Sequence, residues 1–324
     1  MPDVSYRAAV LDGLFEEMRR DPAVIMMGED IGAAGGVFKQ TDGLLAEFGA
    51  ARVIDTPISE SGAFGLAVGA AMTGLRPVFE VMFGEFMTLI MDQLVNQAAK
   101  VHYMSGGQFT VPLVVRTTMG TGSNLGAQHS QSLYGWAAHV PGLKVAIPST
   151  PADAKGLFKA AVRDDNPVLI FEDRLLYTAV GEVPAGDHVV PLGVAAIKRP
   201  GRDITVVATG RMVARALAAA AELARDGIEA EVVDPRSLVP LDVDTLVSSV
   251  KRTNRALVVD GGSRQFGVAG ELAATLAEEA FDWLDAPVKR LAAADVPIPV
   301  SRTLEPLVQP SETAIAEAVR ELVA

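Results

Sequence analysis

The 324-residue sequence contains no cysteine. That absence excludes disulfides, thiolate-ligated zinc, cysteine-held iron–sulfur clusters and a cysteine nucleophile in this chain. Basic residues are the next scarcity: 28 Lys and Arg stand against 40 Asp and Glu, a net charge of −12. Phosphate backbones are held mainly by Lys and Arg, so the expected partners are proteins and small molecules, with no nucleic acid. Long apolar runs are missing too. No stretch reaches the roughly 18 residues of a membrane span, and the start MPDVSYRAAVLDGLFEEMRRD lacks the uninterrupted apolar region of a signal peptide. These features lead to the expectation of a cytoplasmic protein with no membrane partner. The four histidines, His102, His129, His139 and His188, show no close pairing at metal-ligand spacing, which argues against zinc.

What is present is apolar material in quantity: hydrophobic residues make up 49% and charged residues 21%, the composition of a well-packed protein. Single cores stop growing near about 250–300 residues, so this length favours two domains. Ser5 is a plausible N-cap for a helix with Val10, Leu14 and Met18 on one stripe, stopped by Asp21-Pro22. Strand-like runs AVIMMG, PVFEVMF, PLVVRTT, LKVAIPS and PVLIFED then alternate with helical stretches such as 86–103 and 152–162. Such alternation implies a mostly parallel sheet covered by helices on both faces. A Pro/Gly-punctuated passage follows Asp173, and the alternation restarts at DITVVATG and runs to a last helix through Glu321. The expected organisation is two α/β domains, 1–185 and 201–324, joined by a linker over 186–200.

The segment 52–77, RVIDTPISESGAFGLAVGAAMTGLRP, ends a strand at Asp55-Thr56-Pro57 and opens a helix whose first turn holds Glu60. Strand-to-helix junctions in parallel sheets are where ligands bind. By local logic alone, though, Glu60 is a first-turn acid that complements the helix dipole. The loop 119–132, MGTGSNLGAQHSQS, is glycine-rich, but its spacing is not GxGxxG and no amphipathic helix begins directly after it, so a dinucleotide fold is rejected. His129 in this loop is suited to proton transfer by its near-neutral ionisation, although a lone loop histidine is more often structural.

Over roughly residues 5–320, DTPISESG, RPVFEVMFGEFMTLIMDQLVNQAAK, AQHSQSLYGWAAHVPGLKVAIPSTPADA, EAEVVDPRSLVPLD and RALVVDGGSRQFGVAGE resemble the β subunits of pyruvate, branched-chain 2-oxo acid and acetoin dehydrogenases. The resemblance implies a transketolase-like fold: a pyrimidine-binding domain followed by a transketolase C-terminal domain. It also implies an oxidoreductase that uses thiamine diphosphate, with Glu60 hydrogen-bonded to a ring nitrogen of the aminopyrimidine. Phe86 would lie against that ring, with Met82 and Glu29 in the same pocket. For Phe86 an ordinary core aromatic, and for Glu29 a structural strand-end acid, are the competing readings. The family places His129 at the substrate end of the cofactor, in proton transfer during acyl delivery. It also places a structural potassium ion, held mainly by backbone carbonyls, at Leu113, Ala161, Val162, Asp164 and Asn166.

Thiamine enzymes that grip the cofactor's diphosphate within one chain carry a GDG segment followed by Asn-Asn. This sequence has neither, so magnesium and the diphosphate are expected on an α-type subunit in an α2β2 assembly. The implied reaction decarboxylates a 2-oxo acid, pyruvate ahead of acetoin or branched-chain acids, and passes the acyl group to lipoamide of a dihydrolipoyl acyltransferase core. The rival is a split transketolase-like or acyloin-forming transferase that works without lipoamide.

Overall fold

Ser5 caps the helix Tyr6–Arg20 by accepting from the Ala8 N–H at 3.3 Å, and Arg19 and Arg20 sit in its last turn, where cations favour the helix dipole. Val10, Leu14 and Met18 are all buried on it. Leu14 and Met18 share one core with Leu157, Phe158, Ala161 and Val162 of the helix Pro151–Arg163. Gly13 permits that crossing, since a Cβ there would lie 3.3 Å from the Phe158 ring. The computed structural model describes residues 3–324. Among the described residues no helix is long and apolar enough to cross a membrane.

The chain forms two units: one from residues 1–119 and 136–192, the other from 120–135 and 193–324. The first contains parallel strands in the spatial order Lys144–Ala146, Val168–Asp173, Val114–Met119, Arg76–Val81, Val24–Gly28 and Val53–Asp55. Val24–Gly28, Val114–Met119 and Val168–Asp173 are buried along their whole length, as sheets covered on both faces require. Asp3–Ser5 pairs separately and antiparallel with Val180–Glu182.

The second unit places Lys289–Ala293, Ala256–Ser263, Ile204–Ala208 and Ala230–Asp234 side by side in parallel, with Ala196–Arg199 antiparallel at the edge. Its helices Met212–Leu223 and Glu312–Val323 pack through alanines onto these strands. The fold is thus two α/β sheets of mostly parallel strands, as the alternation of the sequence requires. The segment Gly120–Gly135 belongs to the second unit, although it lies within the chain of the first.

One stretch differs from its expectation. The residues read as a helix over 86–103 form a 3-10 segment Gly84–Ile90, a wider π turn Gln93–Ala98 and a short helix Val101–Met104. At its start Gly84 runs so close to the neighbouring strand that a Cβ would lie 3.0 Å from the Thr118 carbonyl oxygen, and Phe83 and Phe86 meet edge-to-face at 5.9 Å. Close backbone approach and aromatic packing here override the regular α-helical period.

Candidate functional site

In the first unit, three adjacent parallel strands set the register of a crevice. Gly28 stands opposite Asp55 on one side and Glu80 on the other, so Glu29 follows directly at the carboxyl edge, the usual ligand side of such sheets. Only a glycine suits position 28: its φ is 159°, and a Cβ would lie 3.1 Å from the Glu80 carbonyl oxygen. Two hydrogen bonds then shape the turn into the next helix. The Thr56 N–H donates to the Gly28 carbonyl at 2.9 Å, and the Gly32 N–H donates to Asp55 Oδ1 at 2.7 Å. The helix Glu60–Met72 opens immediately afterwards, so Glu60 occupies its first position.

Glu29, Glu60, Met82 and Phe86, the four residues implied as cofactor contacts, line this crevice together with Phe79, Glu80 and Val81. Both Glu29 and Glu60 are half-buried, and neither carboxyl group accepts a hydrogen bond from the described residues. Burial, the Glu60 charge and then Asp30 hold the Glu29 carboxyl above the usual carboxylate range. Two acids facing each other beside the Phe86 ring, with no donor of their own, suit a planar group that brings N–H donors and a face for stacking. The aminopyrimidine of thiamine diphosphate is such a group, so these residues fit it.

Sequence reading missed Glu80. It is 8% exposed and lies in register with Arg116 on the adjacent strand. Arg116 Nη1 donates to Glu80 at 3.2 Å, and its Nε and Nη2 donate to Glu172 at 2.9 and 3.2 Å. Gln40 and Tyr177 complete Glu172 at 2.9 and 3.1 Å. Burial pushes Glu80 up, and the Arg116 guanidinium opposes this. The signal was available as lone charges in otherwise apolar strand runs: Glu80 in PVFEV, Arg116 in LVVRTT and Glu172 in VLIFED. Two buried carboxyl groups thus share one guanidinium beneath the crevice.

The positions implied for potassium are Leu113, just before the strand Val114–Met119, Ala161 and Val162 in the last turn of the helix Pro151–Arg163, and Asp164 and Asn166 just after it. Leu113 O accepts from the Val168 N–H at 2.9 Å and Ala161 O from the Asp164 N–H at 3.2 Å. Val162 O and Asp164 O both accept from Arg76 Nη1 at 3.0 Å. The Asp164 carboxylate receives Lys144 Nζ at 2.5 Å and the Asn166 N–H and side-chain amide, each at 2.9 Å. Each carbonyl retains a second lone pair, the ligand type a monovalent ion takes, while Arg76 and Lys144 already bring positive charge to Val162 and Asp164.

His129 lies in the second unit, half-buried in the loop Gly120–Gly135. The glycines of that loop serve its backbone: Gly120, Gly122 and Gly126 have φ values of 95°, 102° and 71°, and Asn124 adopts 54°. Glu305, also overlooked in the sequence, binds the loop from the C-terminal region. Its Oε1 accepts from the Gly122 N–H at 2.8 Å, and its Oε2 from the Asn124 N–H at 3.0 Å and Asn124 Nδ2 at 2.6 Å. A cavity of about 470 Å³ lies within this unit, bounded by Ala127, Gln131 and Leu133 on the loop and by Gly262, Ser263 and Val296.

The chain matches two family descriptions: "Transketolase, pyrimidine binding domain" over residues 2–179 and "Transketolase, C-terminal domain" over residues 193–315. It is 47% identical to the acetoin:2,6-dichlorophenolindophenol oxidoreductase subunit beta of Bacillus subtilis, over 98% of this chain and 97% of that protein. It is 46% identical to the pyruvate dehydrogenase E1 component subunit beta of Rhizobium meliloti, over 99% of this chain and 70% of that one. The 2-oxoisovalerate dehydrogenase subunit beta of Bacillus subtilis is 44% identical over 99% of both chains. Among solved structures, a split-gene transketolase described as an inactive β4 tetramer superposes with a TM-score of 0.80. It covers 99% of this chain and 98% of its own at 24% identity, a likeness of fold.

Proposed function

The chain belongs to the transketolase-like family of thiamine-diphosphate enzymes that includes these dehydrogenase β subunits, and we propose that it is the β subunit of an α2β2 2-oxo acid dehydrogenase. The reaction is decarboxylation of a 2-oxo acid, with pyruvate the first substrate to test, followed by transfer of the acyl group to lipoamide on a dihydrolipoyl acyltransferase core. The observation that carries this reading is the Glu60 carboxylate: it opens a helix at the crevice, faces Glu29, and has no hydrogen-bond donor among the described residues.

Thiamine diphosphate, when bound, supplies the carbon nucleophile that protein side chains lack. Glu60 would hold the aminopyrimidine by accepting a hydrogen bond from it and would keep a proton at that contact, with Phe86 and Met82 as the apolar walls of the pocket. Glu29, held toward its protonated form by burial and by Glu60, acts as the second acid of the pocket. The Glu80–Arg116–Glu172 network fixes the strands on which these groups stand. His129 moves a proton at the substrate end during acyl transfer. Magnesium and the diphosphate would be the α subunit's part, and a potassium ion would be held by the carbonyls of Leu113, Ala161 and Val162 with Asp164 and Asn166.

Co-expression with an α-type subunit tests this directly. The pair is assayed with thiamine diphosphate, magnesium and an artificial electron acceptor over pyruvate, branched-chain 2-oxo acids and acetoin, and then with lipoylated acyltransferase domain. The expected result is an α2β2 species that turns over at least one 2-oxo acid and acylates the lipoyl group. Failure to assemble, or no turnover of any substrate in the panel, contradicts the reading. Turnover confined to acetoin, or ketol transfer without lipoyl acylation, contradicts its 2-oxo acid or lipoamide part.

A further inference from the structure

We propose that Glu305 is the positioning residue of the loop Gly120–Gly135 and, through it, of His129; the catalytic part of this inference rests on the role given to His129 above. Glu305 is 1% exposed. A buried carboxylate must be satisfied by donors, and all three donors that satisfy this one belong to two loop residues: the Gly122 N–H, the Asn124 N–H and Asn124 Nδ2, at 2.8, 3.0 and 2.6 Å. Hydrogen bonds to a charged acceptor are the stronger class. These bonds fall where the backbone is least free to hold itself, because Gly122 and Asn124 both sit at positive φ.

Two further anchors complete the clamp. Arg211 Nη2 donates to Thr121 Oγ1 at 3.0 Å and to Gln309 Oε1 at 2.5 Å, fixing the loop's entry. At the exit, the buried Tyr134 hydroxyl donates to Asp260 Oδ1 at 2.5 Å. Between these ends lies the middle of the loop, which carries His129 and borders a cavity through Ala127, Gln131 and Leu133. Its placement depends on how the entry is held, and Glu305 contributes most of the bonds there. Local strain combined with an over-determined anchor is the pattern by which loops hold reacting groups in one geometry.

The test uses the full chain in its α2β2 complex, with Glu305→Ala, Glu305→Asp, Asn124→Gly, His129→Ala and the double variant Glu305→Ala/His129→Ala. Asn124→Gly keeps the left-handed backbone and removes only the 2.6 Å bond, so it reports even where Glu305→Ala fails to fold. Hydrogen exchange of the peptide spanning 120–135 is expected to quicken in Glu305→Ala and, less, in Asn124→Gly, with Glu305→Asp closer to wild type. In lipoyl acylation, Glu305→Ala is expected to lower kcat about 100-fold with little change in KM, the scale of a misplaced catalytic group. In the His129→Ala background the same substitution is expected to cost less than about 3-fold. Unchanged exchange in the loop overturns the proposal, as does an equal loss from Glu305→Ala with and without His129. Wild-type activity in His129→Ala would overturn the role of His129 and the catalytic part with it, while exchange would still decide the positioning.

Discussion

The two units treat their acids in opposite ways. In the crevice of the first, Glu29 and Glu60 face one another without a hydrogen-bond donor, and Glu29 is pushed toward protonation. In the second, Glu305 takes three donors from one loop, and Asp260 takes the Tyr134 and Thr209 hydroxyls at 2.5 Å each and the Gly262 N–H at 3.2 Å. A folded protein normally satisfies its polar groups, and the places where it does not are where another molecule is expected to do so. One unit keeps an unfinished site, and the other spends its buried polar groups on holding a loop still.

The comparison breaks most visibly where an acid of the crevice wall is itself satisfied. Replacing Arg116 by Met leaves Glu80 and Glu172 buried without their guanidinium, and a loss of about 3–5 kcal/mol is expected. Denaturant unfolding of the purified chain measures it. A loss below about 1 kcal/mol would show that the pair is not a structural anchor. Phe86→Ala probes the open side of the same crevice. Thiamine-diphosphate affinity in the α2β2 complex is expected to fall about 3–10-fold, from the lost ring contact, with a stability loss of about 0.5–1.5 kcal/mol from the broken edge-to-face contact with Phe83; isothermal titration reads the first and denaturant unfolding the second. Unaltered affinity would return Phe86 to the role of core filler.

Smaller effects sharpen the contrast. Glu29→Gln removes a like charge beside Glu60, so the unliganded chain is expected to melt higher by about 1 °C or less, whereas a clear fall would mean that Glu29 has a stabilising partner. Acid acts at another place in the first unit. Arg163 and then Lys159 hold Asp187 well below the usual carboxylate range. For Glu16, burial pushes up, but hydrogen bonds from Lys155 and Lys159 prevail and lower it. A lowered folded value gives stability that is present above the unfolded carboxylate range and lost as pH falls through the folded value. Asp260 is shifted the other way, raised by burial against its hydroxyl partners, so it favours the folded state on acidification. As pH falls from about 5 to about 2, hydrogen exchange is therefore expected to show the helices Tyr6–Arg20 and Pro151–Arg163 loosening before the strand Ala256–Ser263. The reverse order would contradict these assignments.

Much of this fold was legible in the sequence because parallel sheets write themselves as short apolar runs between helical periods. The Ser5 cap, the strands around Val24, Val78, Val114 and Val168, and the alternating second half follow from local rules. The interrupted stretch after Gly84 was not legible, because close packing against Thr118 is a tertiary fact. Glu60 was visible only as a first-turn acid; its motif supplied the pocket, and the structure adds that Glu29, Met82 and Phe86 surround it. Glu305 carried no signal at all. Its partners lie 181 and 183 residues away in sequence, and no spacing rule connects an acid near the C-terminus with a glycine-rich loop in the first half. The spacing of the loop's own glycines had already argued against a dinucleotide cradle, and in the structure they form the backbone of a clamped turn.

The division of labour is tested most directly by Glu60→Gln in the α2β2 complex, compared with wild type in cofactor binding and in turnover. The amide keeps the shape of the side chain but cannot hold the proton. The expected result is intact assembly, cofactor affinity within about 10-fold of wild type, and a loss of turnover of about 1,000-fold or more, on the scale of a lost acid–base group. Turnover within a few-fold of wild type would contradict the account, because Glu60 would then be only the first-turn acid of its helix.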